Sequence, residues 1–211
     1  MRSQGKTVGV MKPAETGCAV KGSGLYPKDA SLLKRVCGTD DVMGAICPYC
    51  FSEPLSPAVA AKRAGKEVSE GLILRVCRTI ARQNDAMIVE GAGGLMVPLS
   101  GKYLFLDLAA DLKYPVVIVA RAGLGTINHT LLTIAAARAR GLEIYGIILN
   151  RSGAKEAGAA EKTNPDVLRE LASTDRVFTL PYIPGVKRSN AALLAAGERL
   201  NGLGFFGLTK K

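Results

Sequence analysis

With 211 residues, 48% hydrophobic side chains and 24 glycines, the sequence can bury a substantial core and is expected to fold as a single domain over 1–211 rather than remain disordered. The formal charge is +10, but the basic residues are scattered through amphipathic segments (Lys62, Arg63, Lys66, then Arg75, Arg78, Arg82) with no aromatic-basic stretch, which argues against a nucleic-acid partner. No apolar run approaches the ~20 residues needed to cross a bilayer and Met1–Lys6 lacks a signal peptide's apolar core, so a cytoplasmic protein without a membrane partner is expected.

Taken in chain order, Lys6 to Met11 reads as a short strand stopped by Lys12-Pro13. A glycine-rich loop follows, then helical spacing from Asp29 to Cys37 with Leu32, Leu33 and Val36 on one side. Pro54 and Pro57 bracket the entry to a short helix. Ser69 can cap a second, whose Leu72, Val76 and Ile80 form an apolar stripe. Asp85–Glu90 and Pro115–Ala120 are compact apolar runs expected to be buried parallel strands, the first ended by Gly91-Ala92-Gly93-Gly94. A helix is expected between Gly125 and Gly141, a strand over Glu143–Leu149 and a helix opened by Asn164-Pro165. A strand over Arg176–Leu180 and a helix over Ser189–Leu200 complete the pattern. Such alternation predicts an α/β fold: a three-layer, mostly parallel sheet with helices on both faces and ligands at the carboxyl ends of its strands.

Several local motifs invite chemistry. Gly5-Lys6-Thr7 looks like the end of a phosphate-binding loop, but it leads into a strand instead of a helix, and reads as a decoy. The cysteines (Cys18, Cys37, Cys47, Cys50, Cys77) are odd in number and irregularly spaced, as in a reducing compartment. Cys47-Pro48-Tyr49-Cys50 resembles the redox pair of glutaredoxins, yet Phe51-Ser52-Glu53-Pro54 prevents an uninterrupted helix from starting at the first Cys. With no second pair to complete a zinc site, these read as incidental cysteines.

Lys12 and Thr16 place an ammonium and a hydroxyl at a strand's end, where either a ligand contact or a solvated turn is possible. Glu90 precedes glycines that permit close backbone approach to a phosphate, so it is either a magnesium-holding carboxylate or an exposed strand end. Asp29 by itself reads more readily as a helix-start cap or dipole partner than as a ligand. His129 lies within a helical stretch without a metal-binding partner and reads as a packing or hydrogen-bonding residue.

In order, Lys12-Pro-Ala-Glu-Thr-Gly17, Glu53-Pro-Leu-Ser-Pro57, Val89-Glu-Gly-Ala-Gly-Gly94, Gly123-Leu-Gly-Thr-Ile-Asn-His129 and Leu180-Pro-Tyr-Ile183 resemble the dethiobiotin synthetase family, from Val8 to about Leu194. The resemblance implies a phosphate-loop NTPase-like fold and conversion of 7,8-diaminopelargonate, CO2 and ATP into dethiobiotin, ADP and phosphate. It matches Lys12 to the family's catalytic lysine, Thr16 to a substrate-contacting hydroxyl, and Asp29 and Glu90 to carboxylates that contact Mg²⁺. It places Gly91, Ala92, Gly93 and Arg151 beside the nucleotide, Asn150 at its adenine, and Pro181, Tyr182 and Ile183 over the base. It also implies a homodimer, in which the substrate carboxylate meets the helix start Gly125, Thr126, Ile127 and Asn128 of the neighbouring subunit.

Family members carry a strand, a glycine-rich phosphate loop and a helix ahead of the strand that leads to Lys12. That segment, of roughly 25 residues, is not recognised ahead of Val8. The accompanying expectation is a reading begun at an internal methionine, with marginal stability and weak ATP turnover. The alternatives are a non-catalytic homologue that binds substrate or dimerises, and an enzyme of the cobyrinate-amidating type.

Overall fold

A computed structural model describes residues 5–153, 157–184, 197–198 and 200. The chain divides into two compact units, Met1–Leu112 and Lys113–Lys211. The expected final helix over 189–200 lies largely outside the described residues.

In the first unit, β1 (Val8–Met11) runs parallel to β6 (Ala86–Val89), with Met11 opposite Val89. All of β1 is buried, as a short apolar strand covered on both faces should be. Val8 and Val10 pack with Ala30 of α1 (Lys28–Cys37), Ile46 of α2 (Met43–Ile46) and Cys47. The opposite face meets α4 (Glu70–Arg82). There Gly9 provides clearance, since a Cβ on it would lie 2.5 Å from Ile80 Cγ2.

Two small pairings flank this centre. Strand β2 (Ala14–Glu15) runs parallel to β5 (Tyr49–Cys50), and β3 (Ala19–Lys21) turns back on β4 (Gly24–Tyr26). The second is a hairpin in the segment expected to be only loop. Its turn uses Gly22 at φ +60, a conformation favoured by a residue without Cβ. Pro57 opens α3 (Pro57–Arg63), where a missing N–H costs nothing. Ser69 accepts from Leu72 N–H at 3.2 Å, as an N-cap should. The expected stripe on α4 is displaced by one residue: Ile73, Cys77 and Ile80 are buried, while Leu72 and Val76 flank them half-buried. A hairpin of β7 (Pro98–Ser100) and β8 (Tyr103–Leu104) then leads into α5 (Phe105–Leu112).

The second unit contains a parallel sheet in the order β11-β10-β9, formed by β9 (Val116–Arg121), β10 (Ile144–Asn150) and β11 (Val177–Leu180). Helices α6 (Thr126–Ala139) and α7 (Ala159–Ala172) pack on one face, where Ile118, Ile134, Ile147, Leu149, Leu168 and Val177 form the core.

Two expectations are corrected. Residues Asn164-Pro165 do not open a helix, because α7 begins at Ala159 and contains Pro165. Glu161 accepts from Gly158 N–H at 3.1 Å and anchors the earlier start, the back-reaching half of a capping box. The runs expected to be buried strands are only partly so: Ile88 is 42%, Val117 40% and Val119 63% exposed. Among the described residues β6 and β9 each pair along one edge, and the pleat sends Val117 and Val119 away from the face holding Ile118.

Candidate functional site

Parallel register creates the first cluster. Since Met11 and Val89 are partners, the next residues, Lys12 and Glu90, emerge side by side from the carboxyl ends of β1 and β6. Glu90 N–H donates to Met11 carbonyl at 2.9 Å and Lys12 N–H to Ile46 carbonyl at 2.7 Å, so both backbones are fixed. Lys12 is only 4% exposed. Its Nζ donates to Glu90 Oε1 at 2.7 Å and to Gly91 carbonyl at 2.9 Å, and lies 3.5 Å from Asp29 Oδ2. A buried ammonium is tolerable because it is paired and hydrogen-bonded.

The two carboxylates remain accessible, with side-chain exposures of 55% for Asp29 and 47% for Glu90. Hard oxygen donors in this arrangement suit magnesium, which commonly takes one or two carboxylates and completes its shell with water and phosphate. Among the described residues no group of three or more His, Cys, Asp or Glu is placed to hold a metal by itself. The residues present therefore fit a metal shared with a phosphate ligand better than a closed structural site.

Glu15 supplies a support that sequence reasoning missed. Helix α1 starts after Pro27, which gives no side-chain cap. In its place, Glu15 accepts from Asp29 N–H at 2.9 Å and Ala30 N–H at 3.0 Å. The 6% exposed Glu15 thereby satisfies amides that an N-cap side chain would otherwise take, and complements the positive end of the helix. Capping from elsewhere leaves Asp29's own carboxylate free to face Lys12. Because 14 residues separate Glu15 from Asp29, no local spacing announces this contact.

Thr16 follows β2 and is half-buried. Next to it, Gly17 N–H donates to Glu53 carbonyl at 3.2 Å, while the exposed Glu53 carboxylate pairs with Arg63 at 2.8 Å. Beyond Glu90, Gly91 lies against Phe105, and Gly93 adopts φ +78 with Val97 beneath it. Of this segment, Gly91 reaches Lys12 through its carbonyl. Gly5-Lys6-Thr7 stands at the other end of β1, where Thr7 N–H and Oγ1 donate to Asp85 Oδ2 at 2.8 and 3.0 Å. This agrees with its reading as a decoy.

The second unit gathers its own candidates at the carboxyl ends of its strands. Asn150 is partnered with Arg121 on one side and Leu180 on the other. Asn150, Arg151 and the segment Pro181, Tyr182 and Ile183 therefore lie at one end of this sheet, where Arg151 N–H donates to Leu180 carbonyl at 3.0 Å. The Arg151 side chain approaches Glu161 at 3.5 Å. The loop after β9 enters α6 through Gly125 at φ 87, with no side-chain cap on the helix. Thr126 is buried, whereas Asn128 is exposed and Ile127 half-buried.

Asn164, read from sequence only as part of a helix start, fastens this loop. Its Nδ2 donates to Ala122 carbonyl at 2.8 Å and Gly123 carbonyl at 3.3 Å. The residue is buried, at 4% exposure, and these hydrogen bonds explain why a polar side chain is tolerated there.

A family model described as an AAA domain matches residues 1–190. An ATP-dependent dethiobiotin synthetase from Anaeromyxobacter sp. (strain K) is 44% identical over 183 residues, covering 87% of this chain and 80% of the relative. The ATP-dependent dethiobiotin synthetase of Thermodesulfovibrio yellowstonii is 41% identical over 187 residues, covering 85% and 78%. That of Bacillus cereus (strain B4264) is 38% identical over 200 residues, covering 94% and 81%.

Proposed function

Because the chain belongs to the ATP-dependent dethiobiotin synthetase family, a group of ligases in biotin biosynthesis, we propose that it joins CO2 to 7,8-diaminopelargonate and closes the cyclic urea at the expense of ATP. The observation that carries this reading is the buried Lys12 ammonium, held 2.7 Å from Glu90 and 3.5 Å from Asp29 at the ends of parallel strands. It is a cation fixed where negative charge would develop.

In this reading one substrate amine adds to CO2, losing a proton to form a carbamate. A carbamate oxygen attacks the γ-phosphorus of ATP and displaces ADP. The second amine then attacks the carbonyl carbon, loses a proton and expels phosphate as the ring closes. Lys12 stabilises the carbamate and the transferring phosphoryl oxygens by hydrogen bonding and charge. Thr16 offers a hydroxyl to the substrate. Asp29 and Glu90 would hold Mg²⁺, which when bound supplies neutralisation of phosphate charge.

Backbone amides around Gly91, Ala92 and Gly93 and the Arg151 side chain are assigned to the nucleotide, Asn150 to its adenine, and Pro181 to Ile183 to the cover over the base. The first turn of α6, Thr126 to Asn128 after Gly125, suits the substrate carboxylate, because amides at a helix start favour an anion. A homodimer would let this turn serve the partner's site.

Incubation with diaminopelargonate, isotopically labelled bicarbonate, ATP and Mg²⁺ tests the assignment. Labelled dethiobiotin and ADP are expected in equal amounts. Diaminopelargonate binding without ADP release would instead indicate a binding homologue and refute the catalytic assignment.

A further inference from the structure

The segment Cys47-Pro48-Tyr49-Cys50 stands apart from the ligase chemistry, and its thiols come together in the fold. Cys47 Sγ and Cys50 Sγ are 3.5 Å apart. Their backbones are anchored independently. Cys47 caps the end of α2, with its N–H donating to Met43 carbonyl at 2.7 Å. Cys50 lies in β5 opposite Glu15 of β2, and the following Phe51 N–H donates to Glu15 carbonyl at 2.9 Å. Tyr49 between them accepts from Ser69 N–H at 2.8 Å through its hydroxyl.

We propose that Cys47 and Cys50 form a redox modification site in which Cys50 attacks a low-molecular-weight disulfide and Cys47 resolves the mixed disulfide. A disulfide bond requires the sulfurs at about 2.05 Å. From 3.5 Å, rotation of two side chains on anchored backbones supplies the approach. The roles follow from placement. Cys47 is 3% exposed and packs in the core with Val8, Val10 and Ile46, while Cys50 is half-buried at that core's margin.

The electrostatics agree with this division. Hydrogen bonding from Cys47 holds the Cys50 thiol below its ordinary range, whereas that same contact and burial push Cys47 up. The thiolate is the attacking species. The third nearby thiol, Cys18, is buried, donates to Glu15 carbonyl at 3.4 Å and is pushed up to about 11, chiefly by desolvation. Cys18 also hydrogen-bonds Cys50 and adds a smaller lowering to it, but its own raised value makes it the poorer nucleophile.

The exchange balances without a metal or further oxidant. Cys50 thiolate attacks one sulfur of the small disulfide, forming the mixed disulfide and releasing one thiolate. Cys47 loses its proton and attacks Cys50 Sγ, expelling the second small thiolate. Two protein thiols are oxidised and one disulfide is reduced to two thiols. The sequence order is opposite to the glutaredoxin arrangement, in which the first cysteine occupies a helix start. Here the first cysteine ends a helix and the second lies on a strand.

The reduced full chain should be exposed to oxidised glutathione, quenched by alkylation and mapped by mass spectrometry. The wild-type chain should lose two alkylatable thiols, at Cys47 and Cys50, and retain little glutathione. Cys47→Ser should accumulate glutathione on Cys50 to roughly ten times the wild-type level, because its resolving thiol is gone. Cys50→Ser should leave Cys47 alkylatable. Stable glutathionylation of wild-type Cys50, a Cys18–Cys50 linkage, or no oxidation at this pair would overturn the assignment. Mapping on the wild-type chain decides the matter even if a variant folds poorly.

Discussion

Replacing Glu15 by Ala isolates the contact that supports Asp29. The mutation removes acceptors at 2.9 Å and 3.0 Å from two first-turn amides of α1. Asp29 is exposed and its amide can turn to water, but Ala30 is buried. A buried donor left without a partner costs about 1–3 kcal/mol, and loss of an N-cap acceptor typically costs about 1 kcal/mol. Some of this is offset because the mutant no longer desolvates a carboxylate. A net loss of about 2 kcal/mol is expected, equivalent to a fall in Tm of about 4–8 °C for a chain of this size. Glu15→Gln keeps one acceptor oxygen but can turn an NH2 toward the other amide, so its loss should be about half as large. Urea denaturation gives the stability change, and hydrogen exchange at Asp29 and Ala30 localises it. Glu15→Ala within about 0.5 kcal/mol of wild type, with unchanged protection at both amides, would refute the capping argument.

Further consequences follow from packing and charge. Gly9→Ala should destabilise the first unit by about 1–3 kcal/mol in a denaturation experiment, since its Cβ would meet Ile80 Cγ2 at 2.5 Å and Ile80 is buried. Ser69→Ala should cost about 1 kcal/mol, measured in the same way, because Leu72 N–H loses its cap. Asp85 is held below its ordinary value of 3.8 by the Thr7 N–H, with smaller help from the Thr7 hydroxyl and Lys6. Its stabilising contribution should therefore be full above that value and disappear as pH falls through the lower folded-state value. Stability curves of wild type and Asp85→Asn should converge on the acid side, and a constant gap at all pH values would contradict this sign.

Much of the framework was legible because its signals are local. The strands expected over Lys6–Met11, Asp85–Glu90, Pro115–Ala120, Glu143–Leu149 and Arg176–Leu180 fall on β1, β6, β9, β10 and β11. Ser69 and Pro57 mark helix starts through mechanisms confined to one turn. Pro165 misled for the same reason: its composition suits a first helical turn, but Ala159–Asn164 continue the helix upstream. Similarly, the expectation of buried strands used apolarity without knowing which sheet edges are paired and which faces are covered.

The residues proposed for the site could be named from sequence, but the contacts that support them could not. Lys12 and Glu90 follow strands, and the family resemblance joins them to Asp29; the paired register of β1 and β6 gives their proximity a geometric cause. Glu15 and Asn164 act on amides or carbonyls distant in sequence, so periodicity could not reveal their roles. The contact between Cys47 and Cys50 likewise depends on the end of α2 and the pairing of β5 with β2. A spacing of cysteines alone does not define those backbone positions.

In the proposed reaction Lys12 stabilises the reacting carbamate and phosphoryl group while Asp29 and Glu90 assist at the same centre. The most direct test of this role is single-turnover formation of labelled dethiobiotin by wild type and Lys12→Met under the same ATP and Mg²⁺ concentrations. The carboxylates beside Lys12 are about half exposed, so water can solvate them after the substitution. The variant should remain folded while product formation falls by about 10²–10³-fold, the scale expected for losing a positioned donor at developing charge. A folded Lys12→Met protein that forms dethiobiotin at the wild-type rate would contradict the account.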